Sequence, residues 1–182
     1  MKEKVFIFIV LCVSFWSCKE VSYPVPQPKG VASLQKLPEN LQGKYLPIDQ
    51  PASEKPDTLI IESWGYHFSD KNGKDWLGRG VLSDSLVVKF YMNYYFVNFK
   101  SGDQWILRLI AQKPSGDLTF MSIDLKEDAQ ISDIINKISK RLKVTEIKRE
   151  SDVFYQINPT PAQLMALVKD GYFAGVELRK TK

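Results

Sequence analysis

Histidine is almost absent from this chain: His67 is the only one in 182 residues. A Ser-His-Asp arrangement would have to use it, yet it sits between Tyr66 and Phe68 with no nucleophile nearby in sequence. It therefore reads as a structural or exposed ring rather than a general base. Cysteine is equally scarce, and both thiols, Cys12 and Cys18, fall at the N-terminus. The remainder has neither a disulfide framework nor a Cys/His metal site to draw on. Carboxylates alone favour hard ions, but Asp70-Lys71-Asn72-Gly73-Lys74-Asp75 carries its glycine too early for a calcium loop, and its Asn-Gly pair reads as a hairpin turn. Asp124, Glu127 and Asp128 group where a helix begins, and acids are favoured there electrostatically. No metal, cofactor or catalytic residue is assigned, and the expectation is a protein that is not an enzyme. Charge of one sign is lacking too: 25 basic residues against 21 acidic give a formal net charge of +4, which does not suggest nucleic acid. No apolar run reaches the roughly 20 residues that a bilayer-spanning helix needs.

What is present begins with an address. Lys2 and Lys4 precede an unbroken apolar run from Val5 to Val13, bounded by Ser14, which is the layout of a secretory signal. Phe15-Trp16-Ser17-Cys18 follows and resembles the lipobox of bacterial lipoproteins, in which a small residue precedes a cysteine that becomes diacylated and then N-terminal. Ser17 fits that pattern; Phe15 and Trp16 stand where the family usually has Leu and a small residue. Cys12, preceded by the large Leu11 inside the apolar run, is the poorer alternative. Lys19-Glu20 is similar to the short charged signal by which Bacteroidetes lipoproteins reach the outer surface. The resemblance implies a signal peptide over 1–17, lipidation at Cys18 and an outer-membrane lipoprotein, periplasmic or surface-exposed. Two or more acyl chains anchor stably, at about 0.8 kcal/mol per buried methylene.

Seven of the ten prolines lie between Lys19 and Asp57. They exclude helix where they cluster, and residues 18–40 read as a lipidated cysteine followed by a tether. Extended at about 3.1 Å per residue, such a tether would reach roughly 70 Å. Val31, Leu34 and Leu37 leave open a second reading, in which its later half packs along the domain.

Residues 41–182 read as one β-rich domain. Leu41 to Leu46 makes a first strand, and its Gly43-Lys44-Tyr45 resembles the opening strand of lipocalin-type barrels. Thr58 to Ser69 is the next extended stretch. Gly80–Tyr91, Tyr94–Lys100, Gln104–Lys113 and Asp117–Lys126 are joined by short turn-forming links, which force neighbours to run antiparallel. Period-two alternation places Leu86, Val88 and Phe90, then Tyr95, Val97 and Phe99, then Trp105, Leu107, Leu109 and Ala111 inward. Lys89, Asn98, Lys100, Arg108 and Gln112 are expected to face water. Val87, Phe96, Ile106 and Ile110 share that outer side and need cover. Ile131, Ile134, Ile135, Ile138 and Leu142 recur at helical spacing. A hairpin over 144–158 follows, then a helix opened by the capping box Thr160-Pro161-Ala162-Gln163, and a last strand over 172–179. The predicted fold is α+β: an antiparallel β-meander, strongly curved or barrel-like, with two short helices in the C-terminal third.

Aromatics are the compositional excess, with eleven between Trp64 and Trp105. On antiparallel strands such rings pack a core or line a ligand cleft. Trp64, Tyr66, Trp76, Tyr95 and Trp105 are the candidates for stacking on a small amphiphile or glycan. Lys137, Lys140 and Arg141 are candidates for an anionic surface, although a solvated helix face also explains them. The function expected is a membrane-anchored binding module. The alternatives are a structural or assembly subunit with an envelope protein as partner, suggested by the long tether and the partly apolar outer face, and a hydrolase using carboxylates alone.

Overall fold

Alternating apolar residues and tight turns build most of this chain into one sheet. The computed structural model describes residues 19–48, 58–69, 78–125, 128–150 and 152–181. In chain order the elements are β1 (Lys19–Tyr23), β2 (Gly43–Pro47), β3 (Thr58–Glu62), β4 (Gly65–Ser69), β5 (Arg79–Val81), β6 (Leu86–Tyr91), β7 (Tyr94–Ser101), β8 (Gln104–Gln112) and β9 (Leu118–Ile123). They continue with α1 (Asp128–Ser139), β10 (Val144–Arg149), β11 (Asp152–Ile157), α2 (Pro161–Lys169) and β12 (Phe173–Thr181). The twelve strands form a mixed sheet, and with the two helices the class is α+β.

The consecutive strands β6, β7, β8 and β9 pair antiparallel, as their short links require. Met92 and Asn93 both take positive φ, 46° and 66°, in the two-residue turn between β6 and β7. The sheet forks at β8. One edge of β8 pairs with β7 along its length, and the other is shared by β1 at Trp105 and Ile106 and by β9 from Leu109 to Gln112. One branch continues β1-β11-β10 and the other β9-β12-β2-β3-β4-β5.

Three expectations are corrected here. The sheet is not a pure antiparallel meander, because β1 runs parallel to β11, Lys19 opposite Val153. Nor is it closed into a barrel: β5 pairs with β4 and β6 with β7, but β5 and β6 do not pair with each other. The tether is corrected as well. Lys19–Tyr23 is a strand between β8 and β11, with Val21 and Tyr23 buried in the core and Glu20 Oε1 2.5 Å from the Arg108 guanidinium. Apolar alternation at Val21 and Tyr23 outweighs the prolines that follow, because a proline interrupts a ladder only where its own N–H was needed.

The rest of that segment is a strap over the gap in the sheet. Ser33 bridges to Lys89, Leu34 N–H donates to Val88 O at 2.7 Å, and Leu37 N–H donates to Ser63 O at 2.8 Å, so the strap ties β6 to the turn between β3 and β4. Its earlier part is held by two polar side chains that the alternation assigned to water. Asn98 accepts from the Gln27 N–H at 2.7 Å and donates to the Gln27 carbonyl at 2.9 Å; the Lys89 ammonium donates to the Pro26 and Pro28 carbonyls, each at 2.9 Å. Asn98 and Lys89 are 0% and 7% exposed. Buried carbonyls need donors, and proline-rich backbone has few of its own to exchange.

Both faces of β7 and β8 are buried. Phe96, Leu107 and Leu109 pack with Ile131 and Ile138, and with Leu164 and Leu167 of α2. Tyr95, Val97 and Ile110 pack on the other side with Leu86, Val88, Leu59, Ile61 and Leu178. The inward sets of β7 and β8 are thus split between two cores, because Tyr95 lies opposite Ile110, not Leu109. Phe90, expected inside, is 46% exposed, since β6 runs past the end of its core. Ile61 shares a core with Val97 although about 24 Å separates their strands along the sheet at 4.8 Å per strand. The β12-to-β4 branch is therefore curled back over β6–β8. Two stretches divide further than expected: Thr58–Ser69 is a hairpin turning at Ser63-Trp64, and Gly80–Tyr91 is split between β5 and β6. At the β3–β4 turn Gly65 has φ 153°, and a β-carbon there would overlap the Gly80 carbonyl of β5. The α2 capping box is present, with Gln163 N–H to Thr160 Oγ1 at 3.3 Å and Thr160 N–H to Gln163 Oε1 at 2.9 Å.

Candidate ligand cavity

Curling the sheet over itself without closing it leaves a hollow between the two layers. It has a volume of about 110 Å³ and is lined by Leu37 and Leu41 from the strap, Leu59 and Ile61 from β3, Gly65, Tyr66 and Phe68 from β4, Leu86 and Val88 from β6, and Val97, Phe99, Ile110 and Phe120 from β7 to β9. A second hollow of about 200 Å³ lies between Tyr45, Pro47, Val176 and Leu178, and shares Leu59, Phe68 and Phe120 with the first. Those three side chains are the partition between two apolar spaces. Tyr66 meets Phe68 and Phe99 edge-on, with centroids 5.9 and 6.2 Å apart, which fixes one wall.

The polar groups here are few. Tyr45 donates its hydroxyl to the Leu41 carbonyl at 2.8 Å, and burial, aided by Asp117 and Tyr95, pushes its phenol up to about 12. Burial also raises the Tyr66 phenol. Both stay neutral across the physiological range. The space offers shape and apolar contact and is suited to a hydrocarbon chain or small ring; apolar cavities of about 150 Å³ hold benzene.

Of the stacking candidates among the described residues, only Tyr66 lines this space. Trp64 stacks on His67 with centroids 5.8 Å apart and carries the Arg79 guanidinium 4.4 Å from its ring. Tyr95 is buried beside Phe90, and its hydroxyl accepts from the Asn40 amide. Trp105 packs against the helix-side core. The four rings do not form one platform, because their strands present them to different faces. Trp76 and Cys18, with the signal segment 1–17, lie outside the described residues.

The basic candidates sit on α1 and just beyond it. Lys137 Nζ is 2.6 Å from Asp133, which raises its pKa, and Arg141 pairs with Asp170. Lys140 is exposed. Lys137 and Arg141 line a wide polar groove with Asp124, Asp170, Ile134 and Tyr172, so its walls carry both signs. His67 Nε2 lies 3.9 Å from Glu62 Oε1. Among the described residues no group of three His, Cys, Asp or Glu side chains could hold a metal ion.

The residues overlooked in the sequence are Leu41, Leu59, Ile61 and Phe120 as cavity walls. The alternation of Leu59 and Ile61, and the Leu34, Leu37, Leu41 spacing, were the available signals. No protein-family model, no curated protein and no solved structure matches this chain.

Proposed function

We propose that this protein is a membrane-anchored, non-enzymatic lipoprotein of the outer membrane that binds the hydrocarbon part of a small amphiphile. The observation that carries the binding reading is the all-apolar hollow of about 110 Å³ adjoining a second of about 200 Å³. A chain longer than the first hollow reaches the second only by displacing Leu59, Phe68 or Phe120, the side chains that line both. The scattered positions of Trp64, Tyr66, Tyr95 and Trp105 favour an alkyl chain over a glycan. The anchor reading rests on the lipobox-like Phe15-Trp16-Ser17-Cys18. With β1 starting at Lys19, such an anchor holds the domain against the membrane with no spacer.

Calorimetric titration with alkyl glucosides of six to twelve carbons tests the binding reading. Each methylene is worth about 0.8 kcal/mol, so affinity should rise about fourfold per added carbon until the hollows are full. Affinity independent of chain length, or no binding at any length, would overturn it. Of the outer apolar residues behind the assembly-subunit reading, Phe96, Ile106 and Ile110 are buried within this chain and Val87 is half-buried, which favours the binding reading over it.

A further inference from the structure

The most exposed apolar side chains on one turn lie at the end of the sheet where the chain enters the fold. Phe90 and Met92, 46% and 61% exposed, flank the tip of the β6–β7 hairpin, and Tyr91 and Tyr94 pair across it. Tyr94 is opposite Ala111 of β8. On the other edge of β8, Ser22 is opposite Ile106 and Tyr23 opposite Trp105, and Glu20 is ion-paired with Arg108. The antiparallel register therefore brings Lys19 level with about residue 109, which lies opposite Phe96 of β7, three to four residues from Met92 and Asn93 at the tip. β1 therefore begins toward the end of the sheet that carries the hairpin tip.

The same end is basic at its far side. β9 begins at Leu118, opposite Gln112 of β8 and Leu178 of β12, and just beyond that line lie Arg179 and Lys44, both exposed. Apolar residues at a tip, tyrosines behind them and cations at the rim are the pattern that partitions into a headgroup layer, because each group meets its own solvent there.

We propose that this end of the sheet is a membrane-contact surface, in which Phe90 and Met92 enter the lipid interface beside the anchor. The proposal rests on the lipoprotein reading for the anchor but not for the contact itself. The lipid chemistry it fits is a bilayer with anionic head groups. Met92 is suited to the role, since its long apolar side chain is 61% exposed on a two-residue turn.

The test uses the full chain purified from its own membrane and reconstituted in vesicles of phosphatidylethanolamine and phosphatidylglycerol. A nitroxide is placed at Met92→Cys, or, as a control at the opposite end of β7, at Lys100→Cys. Accessibility to oxygen, which concentrates in lipid, is compared with that to a water-soluble nickel chelate, and the intact mass reports acylation separately. The expected result is an oxygen-to-nickel ratio at least threefold higher at position 92 than at position 100. An acylated chain with equal ratios at both positions would overturn the contact surface while leaving the anchor standing. A label at 92 shielded from both reagents would also overturn it, in favour of a protein partner. An unacylated chain with a high ratio at 92 would support the contact surface and refute the anchor. An unacylated chain with equal ratios would refute both.

Discussion

Filling the hollow from within should separate binding from stability. Val97 on β7 faces it, and Val97→Phe adds four carbons in that direction. An empty space of about 110 Å³ costs the fold about 2.6 kcal/mol at about 24 cal/mol per Å³. Occupying half of it recovers about 1 kcal/mol, which for a chain of this size raises the melting temperature by about 2–4 °C. The same substitution in a fully packed layer would cost about 1–3 kcal/mol through overpacking. Val21→Phe provides that comparison, since Val21 is buried in the helix-side core and lines neither hollow. Differential scanning calorimetry reads stability, and the alkyl glucoside titration reads binding. Val97→Phe should melt at or slightly above the parent and lose at least tenfold in affinity, while Val21→Phe should melt lower. If Val97→Phe destabilises as much as Val21→Phe, the hollow is not a space waiting for a ligand. Stability preserved together with full affinity would place the ligand elsewhere.

Gly65→Ala should cost about 2 kcal/mol or more in urea unfolding, because the added β-carbon meets the Gly80 carbonyl at φ 153°; a loss under about 0.5 kcal/mol would show that β5 yields freely. Lys89→Met strands the Pro26 and Pro28 carbonyls and should cost about 2 kcal/mol, with faster hydrogen exchange at the Gln27 and Leu34 amides; unchanged exchange there would mean that the ammonium does not hold the strap. Burial raises the phenols of Tyr23, Tyr45 and Tyr66 above their unfolded value near 10, so their contribution is complete below pH 10 and is lost as pH climbs toward 12. Lys89 acts in the opposite sense, because burial lowers its pKa and the penalty for its charge fades as pH approaches 10.5. Tyr45→Phe should lose about 1 kcal/mol at pH 7 with the bond to Leu41, yet flatten the decline in melting temperature between pH 9 and 11.5; an unchanged slope would show that other groups govern alkaline unfolding.

The local elements were legible because their signals are local. The strands from Tyr94 to Ile123 follow from alternation and turn residues, and α2 follows from the Thr160–Gln163 box. The fork was not legible. Between Lys19 and Tyr23 the alternation of Val21 and Tyr23 is too short to separate a strand from an extended tether, since the partners that decide it, Val153 to Gln156 and Trp105 to Ile106, lie more than eighty residues away. Alternation also gives only the relative faces along one strand. It cannot fix that Tyr95 and Ile110 share a side, which depends on how tightly the β7–β8 turn pairs Ser101 with Gln104. Lys89 and Asn98 misled for a related reason. A polar residue at an outward position reads as solvated unless a remote carbonyl comes to it.

Proline density is what makes the cavity more than a crease between two layers. A regular strand in place of the strap would have extended the ladder on β6 and closed the sheet with backbone. Prolines 24, 26, 28 and 38 cannot donate to such a ladder, so the strap meets β6 through one bridge and one hydrogen bond near Leu34. It is fixed instead by side chains. Burying Leu37 and Leu41 contributes about 1.5–3 kcal/mol each, and those two leucines project into the hollow as part of its lining. Beyond the polar ties of Lys89 and Asn98, the seam at Leu37 and Leu41 is closed mainly by apolar contact, the same interaction an alkyl chain would make, whereas β7 and β8 are held by eight paired positions. Displacing the strap at Leu37 would break the bond from its N–H to the Ser63 carbonyl but no strand ladder. The segment that most resembles a spacer in the sequence is therefore a wall of the cavity, closed with little backbone pairing.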